Sequence, residues 1–196
     1  MVIYGFILYL FTHLNISSNI GTYGFKDFAN YYFVETGAYS GDGTKKALDS
    51  RSFKEFYSLE INEGSVYNCR LRFNNQTNVH FIQGDSKKDL WNIIKNLNKP
   101  ITFWLDAHIY PGLTDGTKNC PLLEELDQIK KHHIKTHTIL IDDMSCCGSI
   151  AFDYITKADL IKKIKEINPD YVIKFLDGGD LDEVKDNILY ASVKYK

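Results

Sequence analysis

Five short apolar runs recur along this chain, each ending in an acidic residue or followed by one within two positions, with amphipathic stretches between them. The runs are Tyr31–Glu35, Phe56–Glu60, Val79–Gln83, Thr102–Asp106 and Thr138–Asp142. Short segments of mostly apolar character are the mark of strands buried on both faces. Helical patterning falls at about Gly43–Ser50, Asn62–Phe73, Ser86–Asn98, Pro121–His132 and Thr156–Asn168. Thr156 and Asp159 form a capping box at the start of the last helix, and Pro169 follows its end. Strands alternating with helices imply right-handed crossovers and a parallel sheet covered on both faces. After the last helix the rhythm changes. Tyr171–Leu176 and Ile188–Tyr195 read as an antiparallel pair joined through Gly178-Gly179, closing the edge of the sheet.

No repeat and no long linker divides the 196 residues. A chain of this length buries roughly 70% of its unfolded surface, enough for one substantial core. The expected organisation is a single domain over 26–196, preceded by a segment, 1–25, that packs on it. Residues 1–11 are almost wholly apolar. They are too few to span a bilayer, which needs about 20 residues. They also lack the positive start and small-residue cleavage site of a signal peptide. A homo-oligomeric contact is a second use for this segment; a membrane or targeting element and a mis-set start are the alternatives.

Lys and Arg number 23 against 25 Asp and Glu, a formal net charge of −2. Such a balance carries no electrostatic footprint for nucleic acid or an anionic membrane. Cys69, Cys120, Cys146 and Cys147 form neither a C-x-x-C pair nor a zinc spacing. They read as free thiols of a reducing, cytoplasmic setting.

The acids carry the functional reading. In an open α/β sheet the carboxyl ends of the strands form the ligand crevice, and carboxylates are tolerated where that crevice is wet. In FVETGAYSGDGTKKAL, Glu35 closes a strand and Gly37, Gly41 and Gly43 lead into a helix. The spacing is not the dinucleotide G-x-G-x-x-G fingerprint. An acid beside the loop suits a cationic ligand, such as the amine of an amino acid, better than a diphosphate. Glu60 ends the second strand, where a carboxylate can bind both hydroxyls of a ribose. Asp85 or Ser86 either contacts an adenine amine or caps the following helix.

These pieces, in this order, resemble class I S-adenosylmethionine-dependent methyltransferases, over about residues 30–196. The signatures V-E-T-G, S-L-E, G-D-S, W-L-D-A-H and I-D-D are similar to those of small metal-dependent O-methyltransferase-like families. The resemblance implies a Rossmann-like three-layer sandwich around a mostly parallel seven-stranded sheet whose last strand is antiparallel. It implies S-adenosylmethionine contacts from Glu35, Gly37, Tyr39, Ser40, Gly41, Glu60, Ile61, Asp85, Ser86 and Asp106. Tyr39 stands where many relatives carry a third glycine, which leaves the path of the loop open.

Asp106 and the pair Asp142-Asp143 end adjacent strands. Two unit charges about 4 Å apart repel by roughly 4 kcal/mol at an effective dielectric of 20, so such a cluster calls for a proton, a cation or outward-turned side chains. Oxygen ligands favour a magnesium-type ion. The resemblance assigns that ion to Asp106, Asp142 and Asp143. Asp106 or His108 is then placed to take a proton from an acceptor hydroxyl; His108 reads equally as a loop histidine satisfied by a neighbour. Residues 109–120, polar and glycine-bearing, are the expected substrate lid. The sequence thus points to an O-methyltransferase acting on a small hydroxylated acceptor, a sugar or glycan ahead of a phenol. An inactive methyltransferase-like interaction module is the alternative. An NAD-linked oxidoreductase is disfavoured by Glu35.

Overall fold

The computed structural model describes residues 24–108, 120–178 and 184–193. The apolar start, nearly all of the expected lid, and Tyr195 lie outside the described residues. The seven strands are β1 (Tyr32–Thr36), β2 (Glu55–Glu60), β3 (Val79–Gln83), β4 (Ile101–Leu105), β5 (Thr138–Ile141), β6 (Tyr171–Gly178) and β7 (Val184–Val193). Interleaved with them are α1 (Asp42–Asp49), α2 (Glu63–Arg72), α3 (Ser86–Ile94), α4 (Leu122–Lys131) and α5 (Lys157–Ile167). They form one sheet in the order β3-β2-β1-β4-β5-β7-β6. Neighbours among β1 to β5 are parallel, and β7 runs antiparallel to both β5 and β6. The expected closing hairpin is present, but it turns inward: β7 inserts beside β5 and leaves β6 as the edge.

Both faces of the central strands are apolar, for the reason their unbroken runs implied. Successive side chains point to opposite faces. Val34, Phe103, Ile139 and Ile141 therefore join the core under α3, α4 and α5. Phe33, Trp104 and Leu140, one residue out of phase, join a second core with Ala47 of α1. Phe25 and Phe28, in a 3₁₀ turn, belong to that second core. Phe25 meets Phe33 and Trp104 edge-on at 5.1 and 5.3 Å. The packed domain thus begins at least as early as Phe25, at the very end of the segment expected to lie against it.

Helix ends follow local chemistry. The Asn62 side chain accepts from Ser65 N–H and caps α2, and the Thr156–Asp159 capping box opens α5. At the opposite pole from the strand ends, His132 and His137 are fully buried. Ile101 N–H donates to His137 Nδ1 at 3.1 Å, so His137 Nε2 carries the proton and donates to His132 Nδ1 at 3.1 Å. His132 Nε2 in turn donates to the carbonyl of Leu97 at 2.9 Å. Burial pushes the imidazole of His137 down to about 3. These are neutral linkers between loops.

Candidate active site

The strands end level, and the hydrogen-bond ladder runs one step past them. Thr36 pairs with Leu59 and Leu105, and Leu105 pairs with Ile141. Beyond these, Gly37 N–H donates to Leu59 O, Asp106 N–H to Thr36 O, Asp142 N–H to Leu105 O and Gly84 N–H to Glu60 O, at 2.8 to 3.2 Å. Gly37, Glu60, Asp106 and Asp142 therefore share one rim. The carboxyl ends of parallel strands are where such sheets bind ligands.

The glycine loop is shaped by close approach. Gly37 has φ +81°, and a Cβ there would lie 2.4 Å from the carbonyl oxygen of Asp106. Only glycine fits both demands. Gly41, φ +82°, faces Phe73 and Cys69 of the α2 region. Tyr39, in place of a third glycine, adopts φ +44° with its side chain exposed. The left-handed path is thus kept without glycine, and the loop is tied down: Glu60 Oε2 accepts from Tyr39 N–H and Oε1 from Asn62 N–H, each at 2.8 Å. Ser40 donates to Asp42 at 2.7 Å, and Ile61 projects outward.

Two of the expected contacts differ from the wet crevice read in the sequence. Glu35 is 1% exposed; its carboxylate accepts from Thr44 Oγ1 at 2.7 Å and from Ser58 Oγ. Burial pushes its pKa up to about 7, against those two hydrogen bonds. It braces α1 and β2 beneath the loop rather than lining open solvent. Asp85 takes the capping role: it accepts from Lys87 N–H at 3.0 Å and pairs with Lys88 at 3.0 Å. Ser86 is buried beside it.

The acids after β4 and β5 converge with His108. Its Nε2 lies 3.2 Å from Asp143 Oδ2 and 3.6 Å from Asp106 Oδ1. Ligand atoms of Asp106, His108 and Asp143 all fall within 4.8 Å of one another. The ring is edge-on to Phe152 at 4.5 Å, and its Nδ1 is buried without a partner among the described residues. Asp142 Oδ1 accepts from Asp143 N–H at 2.8 Å, with Asn187 Nδ2 at 3.5 Å. Burial, then Asp142, Asp143 and Glu35, raise the pKa of Asp106 well above the usual carboxylate range. Burial and Asp143 do the same to Asp142. Asp143 goes the other way: burial acts upward, but His108 and Asn187 outweigh it.

Sequence reasoning missed Glu125, on α4. It is fully buried, and among the described residues neither its carboxylate oxygens nor Thr36 Oγ1 make a well-formed hydrogen bond. Burial pushes Glu125 up to about 7, with the Ser86 and Thr36 hydroxyls nearby offsetting part of that effect. Its neighbour Glu124 and the amphipathic helix make it look like a solvent acid. Asn187 and Thr44 gave no signal of their own, and Ser58 entered only as the first residue of S-L-E, with no role attached; they are ordinary polar residues until the sheet assembles.

The strand order, the antiparallel seventh strand and the glycine loop over a rim of acids are the class I methyltransferase fold. Solved structures with that fold resemble the chain along most of its length. An O-methyltransferase from Bacillus cereus in complex with S-adenosylhomocysteine is 14% identical, with a TM-score of 0.61 over 97% of this chain and 90% of that one. A methyltransferase from Podospora anserina, bound to S-adenosylhomocysteine, is 15% identical, with a TM-score of 0.55 over 87% and 75%. The N-methyltransferase NodS from Bradyrhizobium japonicum, also with S-adenosylhomocysteine, is 11% identical, with a TM-score of 0.56 over 86% and 79%. No family model and no curated protein matches the sequence. Proteins of one fold thus methylate oxygen or nitrogen, and the fold by itself does not choose the acceptor.

Proposed function

We propose that this protein is an S-adenosylmethionine-dependent O-methyltransferase acting on a hydroxyl of a small acceptor, a sugar or glycan, in a cytoplasmic setting. The observation that carries the reading is the shared rim: a glycine loop, the Glu60 carboxylate and the Asp106–His108–Asp143 cluster at the carboxyl ends of β1, β2, β4 and β5. Gly37 and Gly41 let a nucleoside with a sulfonium chain approach the backbone. Glu60 keeps lone pairs free for ribose hydroxyls while holding Tyr39 and Asn62. Ile61 flanks the base, with Asp85 and Ser86 at its edge.

The transfer is an in-line displacement. The acceptor oxygen forms a bond to the methyl carbon, the carbon–sulfur bond breaks with its electron pair going to sulfur, and the hydroxyl proton leaves to Asp106 or His108. Positioning by the loop and the acids supplies the alignment such a step needs. A divalent ion among Asp106, Asp142 and Asp143, when bound, lowers the pKa of a coordinated hydroxyl. The donors fit such an ion, since without one burial and mutual repulsion drive Asp106 and Asp142 toward their protonated forms.

A second reading, an interaction module without turnover, draws on the prior engagement of Glu60 by two backbone amides. Labelled methyl transfer from S-adenosylmethionine to a panel of sugars, glycans and phenols separates the two. Transfer to a hydroxyl, reduced by a chelator, is expected. Cofactor binding with no transfer to any oxygen acceptor overturns the O-methyltransferase reading.

A further inference from the structure

We infer that Glu125 is a further positioning residue of this site: its buried carboxyl bridges the hydroxyls of Thr36 and Ser86, and through them sets the two backbone segments on which the nucleoside rests. The inference deepens the methyl-transfer reading and rests on it for the ligand, though not for the contacts.

The buried polar atoms carry it. Both carboxyl oxygens of Glu125, and Thr36 Oγ1 beside them, lack a well-formed hydrogen bond among the described residues. Leaving buried donors and acceptors unmade is costly, and here each group is the other's remedy. A neutral carboxyl offers one O–H donor and one free acceptor oxygen. A small side-chain adjustment lets it donate to Thr36 and accept from Ser86. Ionisation is not rewarded there. Glu124 on α4 and Asp85 at the start of α3 are both acids, and burial acts in the same direction.

Gln128 shows that joining the helices does not need Glu125. About one turn further along α4, it accepts from Trp91 N–H at 2.8 Å and donates to the carbonyls of Ser86 and Lys87 at 2.7 and 3.0 Å. Leu122, Leu126 and Ile129 supply the apolar contact of the same helix. For the fold alone, a carboxyl buried among them adds only cost. What Glu125 adds is its choice of partners. Thr36 ends β1 immediately before Gly37, and its carbonyl accepts from Asp106 N–H at 3.1 Å. Ser86 opens α3 immediately after Asp85. These are the two segments proposed to take the sulfonium chain and the edge of the base, and one side chain of α4 reaches both.

The test uses the full chain at pH 6, where the carboxyl is mostly neutral. Glu125→Gln, Glu125→Leu and Thr36→Val are each checked for folding by circular dichroism. Glutamine keeps a donor and an acceptor; leucine and valine keep the volume without them. S-adenosylhomocysteine is titrated calorimetrically, and hydrogen–deuterium exchange of the unliganded proteins is read over residues 36–41 and 84–90. Expected is binding about tenfold or more weaker in Glu125→Leu and Thr36→Val, and within about threefold of natural in Glu125→Gln. Exchange at both segments should quicken in the first two variants only. A purely structural role predicts instead that leucine, by removing a buried acid, leaves binding intact. Natural affinity in Glu125→Leu, or a loss in Glu125→Gln as large as in Glu125→Leu, overturns the inference. If the natural protein binds no S-adenosylhomocysteine, the methyl-transfer reading falls and exchange alone decides for Glu125: faster exchange at both segments supports the bridge, and unchanged exchange overturns it.

Discussion

Gly37 and Asp106 meet backbone to backbone: a single methyl group added to Gly37 would sit 2.4 Å from the Asp106 carbonyl oxygen. The loop that should carry the cofactor and the strand end that should carry the chemistry are therefore one rigid junction. Gly37→Ala combines that clash with a left-handed backbone. A loss of at least about 2 kcal/mol of unfolding free energy is expected in urea titrations. Gly41→Ala should cost less, because its nearest neighbours are the side chains of Phe73 and Cys69.

Tyr39 tests whether the loop needs a glycine at its centre. At φ +44° a tyrosine carries strain of about 1 kcal/mol, and glycine would relieve it while making the unfolded chain more flexible by a similar amount. Tyr39→Gly should change stability by less than about 1 kcal/mol, measured by urea denaturation, because the Glu60 bond is to the backbone.

The buried histidine chain makes the fold acid-labile. His137 stays neutral in the folded protein down to about 3, whereas the unfolded chain takes up the proton near 6.5. Between those values the unfolded state binds more protons, so stability falls as pH falls. By pH 4.5 the loss is about 2–3 kcal/mol. His137→Asn, which cannot titrate, should narrow its stability gap to the natural protein by that amount between pH 7 and 4.5.

Glu125 acts with the opposite sign. It holds its proton up to about 7 in the fold and releases it near 4.5 when unfolded. Between these values the folded state binds more protons, so its contribution to stability falls as pH rises. Glu125→Gln should therefore gain about 3 kcal/mol relative to the natural protein on going from pH 4.5 to 7.5, read from paired urea curves.

The strands and helices were legible because short unbroken apolar runs and amphipathic stretches are set by local sequence. Each expected strand from β1 to β5 overlaps an observed one, and the hairpin after α5 is real. The insertion of β7 between β5 and β6 was not legible, since a hairpin has the same sequence signature whichever of its strands faces the sheet. The rim acids were legible as strand ends. Their dryness was not: burial of Glu35 depends on Thr44 and Ser58 arriving from two other elements. Glu125 was hidden for the same reason, one acid on a helix full of them.

The shared rim is tested most directly by calorimetric titration of the purified protein with S-adenosylhomocysteine, alongside Glu60→Ala and with NAD as competitor. One site per chain is expected, weakened about tenfold or more in Glu60→Ala and undisturbed by NAD. No binding of S-adenosylhomocysteine to the natural sequence, or displacement by NAD, would contradict the account.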